Sequence, residues 1–245
     1  MLMSKKFDFV IRTWSAWAPG FNNQGHRQNQ QDMQTEKAGL PAHVPKALQR
    51  RLSPLARAVF NATDLCIGNV ATPIVLSSAH GEVNKSLEML KAMQRGEEIS
   101  PTAFSLSVHN AISGLFSIAH NNHQEITVLA PGQDGISMVF LEALGILHER
   151  RNNTDDVLIV LYDEPLSDFY PSLSIGLKAP TSCALAIKIA LSGQGLPLQL
   201  QRSPEHRHDS GEHALQIFAF LEFLTSENTT LQLGNHRQSW IWHKQ

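Results

Sequence analysis

The sequence has only two cysteines, Cys66 and Cys183, among 245 residues, and neither belongs to a Cys-x-x-Cys pair. That excludes a disulfide framework and gives no sign of structural zinc or dithiol chemistry. A large charge imbalance is also missing: 20 basic against 22 acidic residues leave a formal net charge of −2, without the dense basic face of a nucleic-acid binder. No apolar run approaches the ~20 residues of a membrane span. The opening "MLMSKKFDFVIRTW" has two lysines and then alternates polar with apolar residues, where an export signal needs an unbroken apolar block. The expectation is a cytoplasmic chain with no nucleic-acid partner and no membrane span. Internal repeats and low-complexity linkers are lacking, and 42% hydrophobic residues suffice for a core, so residues 1–245 read as a single domain.

Strand and helix signals alternate along the chain. "FDFVIRTW" has a period near two and reads as a strand; the Gln/Asn-rich "NNQGHRQNQQDMQTEKAG" after it reads as a surface excursion. Ser53-Pro54 is a helix start, a capping hydroxyl followed by a proline at the first helical position, and "PLARAVFNATDLC" continues at helical spacing. Further strands are expected at "TPIVLSS", "EITVLAP" and "DDVLIVLYDE", the continuous apolar run of the last suiting a sheet covered on both faces. "SCALAIKIAL" reads as the final strand and "SWIWHKQ" as a short tail. Helices are expected at "GEVNKSLEMLKAMQRGEE", closed by Gly96, at "GISMVFLEALGILHERR" and at "GEHALQIFAFLEFLTSE". Strands separated by helices imply a layered α/β fold.

Residues 100–114, "SPTAFSLSVHNAISG", carry His109 and Asn110 inside an otherwise small and apolar stretch. From Phe104 to Ile118 no broad polar face remains, the pattern of a helix enclosed on most sides. Gly114 and the serines at 105, 107 and 113 permit close backbone approach, and a buried His109 or Asn110 needs hydrogen-bond partners. Two readings stay open, a core helix with a satisfied His/Asn pair and a helix at a subunit interface.

This stretch, with the strand "EITVLAP" and the helix "DGISMVFLEALGIL", resembles the N-terminal half of the β-ketoacyl-acyl carrier protein synthases, which have the thiolase-like fold. In that family the matching Ser-Pro opens a segment at the dimer interface, and the Asn and Gly at the places of Asn110 and Gly114 recur. "WSAWAPG" near the start and "WIWHK" near the end resemble a short ketosynthase-like group found with aryl polyene biosynthesis systems. The resemblance implies a layered α/β sheet, the thiolase-like fold truncated to roughly its N-terminal half.

It also sets a chemical requirement. The family attacks an acyl thioester with a cysteine at the start of a buried helix, where the helix dipole lowers the thiol pKa and backbone amides form an oxyanion hole. Counted without gaps from Gly114, that cysteine falls 19 residues on, at Gln133 in "APGQDG"; a gap of one moves it to Gly132 or Asp134. None of the three can form an acyl thioester. The two histidines that assist decarboxylation in the family lie in its C-terminal half. The resemblance therefore implies a catalytically silent relative without a cofactor, the chain-length factor that pairs with a full-length β-ketoacyl-ACP synthase as a heterodimer or a dimer of heterodimers. Acyl carrier protein would be met indirectly. In such a subunit the segment matching 104–110 lies against the partner's acyl tunnel, so Phe104, Leu106 and Val108 are expected to line or gate it, with His109, Asn110 and Gly114 at the interface. The alternative is a divergent acyltransferase or malonyl decarboxylase acting through Gln133.

Other clusters read as structural. Glu205, His206, His208, Asp209, Glu212 and His213 crowd a turn rich in Ser, Pro and Gly and are taken as surface residues, with no metal expected. Asp163 and Glu164 follow a buried strand without a nucleophile or metal beside them, which fits a loop-stabilising or solvated role. Cys66 and Cys183 lack basic neighbours and read as small buried apolar residues.

Overall fold

A computed structural model describes residues 5–18, 33–34, 40–42, 44–68, 72–149, 156–170, 182–204, 213–235 and 237–245. The first half runs through β1 (Lys6–Trp17), β2 (Met33–Gln34), α1 (Lys46–Gln49), α2 (Pro54–Ile67), β3 (Ile74–Ser77), α3 (Val83–Gln94), α4 (Pro101–Ser105), α5 (Ala111–His120) and β4 (Ile126–Leu129). The second half continues with α6 (Ile136–Glu149), β5 (Val157–Asp163), β6 (Cys183–Ala190), β7 (Leu196–Ser203), α7 (His213–Thr225), β8 (Thr230–Gly234) and β9 (Ser239–Lys244).

The strands form one mixed sheet in the order β4-β3-β5-β6-β1-β7-β9-β8, with β2 added alongside β1. β3 runs parallel to both β4 and β5, and every main pairing from β5 to β8 is antiparallel. β5 explains the layering. All seven of its residues are buried, and because successive side chains of a strand point to opposite faces, they divide between two cores. Val157, Ile159 and Leu161 join α6 and α7 on one face. Leu158, Val160 and Tyr162 join α2 and α5 on the other. The first core closes around Phe140, whose ring centroid lies 5.0 Å from that of Phe220 and 5.8 Å from that of Trp242.

Local signals placed the helix starts correctly. Ser53 Oγ accepts the Ala56 amide at 2.9 Å with Pro54 in the first turn, and Ser100 Oγ accepts the Ala103 amide at 3.4 Å ahead of Pro101. Gly96, at φ +75°, takes the left-handed conformation just beyond α3 that favours glycine.

Two expectations are corrected. Residues 104–118 are not one enclosed helix: α4 ends at Ser105, the chain turns through 106–110, and α5 begins at Ala111. Helices buried on most sides are instead α2, where Leu55, Ala56, Ala58, Val59, Phe60 and Ala62 all lie inside, and α6. Secondly, "SCALAIKIAL" is not the last strand. β7, β8 and β9 extend the sheet beyond β1, and "SWIWHKQ" supplies β9, held between β7 and β8.

Candidate functional site

The turn at 106–110 is built by one local contact and by others distant in sequence. Ser107 Oγ donates to the Phe104 carbonyl at 2.8 Å and closes α4, while Ser86 Oγ from α3 donates to the Ser107 carbonyl at 2.8 Å. His109 then reaches the end of β3, where its Nε2 donates to the Ser78 carbonyl at 2.9 Å. Gly81 makes room for it: a Cβ there would stand 2.9 Å from His109 Cδ2, on a backbone at φ +56°. Ser78 in turn donates its hydroxyl to Asp163 Oδ1 at 2.7 Å, and Asp163 also accepts the Ala79 amide. A partly buried polar chain therefore links His109 to the end of β5. Asn110 differs from its neighbour. It is exposed, and its backbone carbonyl accepts from Ser113 Oγ and Gly114 N.

α5 divides into two faces. Ile112, Leu115 and Phe116 pack into the core with α2, and Phe116 and His120 bring their rings within 4.1 Å. On the outside Ile118 is 70% exposed, four residues from Gly114, which is exposed as well. A Cβ on Gly114 would meet nothing within 4 Å, so packing among the described residues does not call for a glycine there. Phe104 is 60% and Val108 40% exposed. Leu106 is the exception among the three residues expected to gate a tunnel. It packs against the core and lines a groove of about 790 Å³ between α3 and α4, together with Met89, Ala92 and Ala103. Phe104 and Val108 stand outside that groove.

The groove is also lined by Glu82 and Glu164, beside Arg50, Arg51 and Lys85, a grouping the sequence does not show. Glu82 is buried; its Oε1 accepts from Ser53 Oγ at 2.6 Å and from Lys85 Nζ at 3.4 Å. Glu164 Oε1 accepts from Asn84 Nδ2 at 2.9 Å. Burial, above all, pushes the Glu164 carboxyl up to about 7, against the lowering effect of Asn84 and with nearby Glu82 adding to the rise. Asp163 and Glu164 thus both stabilise loops, one at the end of β3 and the other through Asn84, which also holds the Pro165 carbonyl and the Ser167 amide. The sequence left a loop-stabilising and a solvated role open, and these partners are those of the first.

Gln133 occupies a 3₁₀ turn, Gly132–Asp134, that follows β4 and leads into α6. Its backbone therefore lies at the start of a buried helix, the place where the resemblance expects a nucleophile. Neither cysteine lies at that turn. Cys66 lies on α2 and Cys183 opens β6; burial pushes their thiols up to about 11 and about 12. The cluster 205–212 lies outside the described residues, as does the side chain of His213. Among the described residues no group of His, Cys, Asp and Glu could hold a metal, and no helix is long and apolar enough to cross a membrane.

A solved structure titled a ketosynthase (ApeO) in complex with its chain length factor (ApeC), from Xenorhabdus doucetiae, contains a chain that superposes with a TM-score of 0.73 at 24% identity. The match covers 97% of this chain and 99% of that one. The ishigamide ketosynthase/chain length factor matches at a TM-score of 0.50 and 16% identity, over 69% of this chain and 52% of its own. These likenesses show the thiolase-like ketosynthase fold. No curated protein matches the sequence. The family described as "Beta-ketoacyl synthase, N-terminal domain" matches residues 14–243, nearly the whole chain, and the protein belongs to that family.

Proposed function

We propose that this chain is a noncatalytic chain-length factor, a subunit that pairs with an active, full-length β-ketoacyl-ACP synthase and shapes the tunnel receiving the growing acyl chain. The proposed setting is aryl polyene biosynthesis or a related type II fatty acid or polyketide-like system. One observation carries the reading, the outward face of segment 101–120. Phe104, Val108 and Ile118 expose apolar surface there, and Gly114 keeps an open space that none of the described residues fills. Glycine inside a helix costs about 0.5–1 kcal/mol relative to alanine, so a glycine without an internal packing reason fits the close approach of a second backbone.

The edge of the sheet adds support. β4 ends the strand order among the described residues and all four of its residues are half-buried, which leaves its outer edge without a neighbouring strand among them. The helix start at 133–136 has no thiol, and both cysteines are buried with their thiols pushed up to about 11 and about 12. The chain is therefore expected to contribute surface and shape while the partner supplies the cysteine and the histidines.

Co-expression with the cognate ketosynthase tests this directly. A stable one-to-one complex, or a dimer of such complexes, is expected in size-exclusion runs, with condensation that requires both subunits. A monomer that ignores the ketosynthase, or decarboxylation of malonyl carrier protein by this chain alone, sinks the proposal; the second result favours the Gln133-dependent decarboxylase.

A further inference from the structure

The start of α6 is already occupied by a side chain of the same protein. Gln216 on α7, 2% exposed, brings its Oε1 to 2.9 Å from the Ile136 amide and accepts its hydrogen. Gly135 lies directly beneath. Its φ is +63°, and a Cβ at that position would stand 1.7 Å from Gln216 Oε1, so only glycine leaves space for the contact. The preceding turn is held from a second side by Asn235, whose Nδ2 donates to Asp134 Oδ1 at 2.9 Å. Asn235 is fixed in turn, since its Oδ1 accepts the Arg237 and Gln238 amides.

The free amides of a helix's first turn attract negative charge and stabilise a nearby thiolate. Here the Ile136 amide is committed to a neutral amide oxygen. We propose that Gln216 closes the start of α6 against an anionic group at residue 133, so that this turn does not activate a thiol even when one is placed there. The inference rests on the reading of this chain as a silent subunit and adds a second, separate reason for the silence. Gln216 is a positioning residue: it touches no reacting atom and acts through the Ile136 amide.

The test introduces the missing thiol into the full chain. Gln133→Cys is made alone, with Gln216→Ala and with Gln216→Met, and alkylation by iodoacetamide is followed by intact mass over about pH 5–10, a span that brackets the ordinary thiol pKa. Ionisation passes the thiol proton to buffer; the sulfur then bonds to the reagent's methylene carbon as iodide leaves. The unaltered chain, with Cys66 and Cys183 buried, supplies the background.

For Gln133→Cys alone the midpoint is expected at the ordinary thiol value of about 8.5. Removing the Gln216 oxygen is expected to lower it by about one unit. Gln216→Met keeps the side-chain length without the acceptor and serves where Gln216→Ala fails to fold. Amide exchange on the unaltered chain reads the contact without any substitution, and the Ile136 amide is expected to be protected. A midpoint already well below 8.5 in Gln133→Cys alone, a midpoint that ignores the loss of Gln216, or an unprotected Ile136 amide overturns the proposal. Binding to the ketosynthase is scored separately. A complex that forms with an activated thiol sinks the role of Gln216 alone, whereas an ordinary thiol on a chain that binds no ketosynthase sinks the subunit reading alone.

Discussion

His109 donates from Nε2 to the carbonyl oxygen of Ser78 at 2.9 Å, tying the turn between α4 and α5 to the end of β3. Loss of a buried hydrogen bond that leaves its partner unsatisfied costs about 1–3 kcal/mol. His109→Ala is expected to lower stability by that amount in urea titrations. Gly81→Ala should cost at least as much, because its Cβ meets the His109 ring at 2.9 Å on a backbone of positive φ. Unchanged midpoints in both variants would show that the link does not hold the turn.

The outer face of α5 gives a contrasting expectation. Ile118→Glu and Gly114→Leu touch little of this chain's own core, so thermal stability of the isolated chain should move by less than about 0.5 kcal/mol. Both are expected to abolish co-purification with the ketosynthase. Retention of the complex by both variants places the interface elsewhere.

Chain length is the next readout. Leu106 lines the groove, and Phe104 and Val108 are exposed and not part of its lining. If the acyl chain of the reconstituted complex ends against Leu106 or Phe104, truncation opens volume in which each added methylene gains about 0.8 kcal/mol on burial. Leu106→Ala and Phe104→Ala are expected to shift the polyene products to greater length, with Lys91→Ala as a control. An unchanged length distribution from intact, active complexes refutes the gating role.

The two native thiols are expected to be bystanders. Cys66→Ala and Cys183→Ala should leave condensation by the complex intact, and intact-mass measurement should find no acyl adduct on this chain. An acyl thioester on either cysteine overturns the silent-subunit reading.

Glu164 makes stability depend on pH. The fold raises its carboxyl from 4.5 to about 7, so the native state binds the proton more tightly than the unfolded chain does. That contribution is fully present below pH 4.5 and lost as the pH climbs through about 7. Glu164→Gln keeps a neutral, hydrogen-bonding side chain. It is expected to stabilise the protein by roughly 1–3 kcal/mol at pH 8, with little change at pH 4. A denaturation series over that range decides, and an equal effect at both ends rules out the raised carboxyl.

Whatever depends on a few neighbouring residues was legible in the sequence. Ser53-Pro54 and Ser100-Pro101 start helices because capping is completed within one turn. "VLIVLYD" announces a strand covered on both faces because every residue in it is apolar or terminal. The absence of cysteine between 67 and 182 is read from the sequence alone and leaves no thiol in the chain near Gln133. Tertiary structure decided the rest. β7 carries Pro197 and alternates leucine with glutamine, a weak local signal that becomes a strand through pairing with β1 and β9. β9 buries Trp240 and Trp242 because β7 and β8 flank it and α7 shares their core. The break at 106–110 depends on Ser86, Ser78 and Gly81, and the closed start of α6 depends on Gln216, 80 residues away in sequence. Local preferences amount to a few tenths of a kcal/mol per residue, too little to outweigh buried contacts between distant segments, and those contacts exist only once the sheet has assembled.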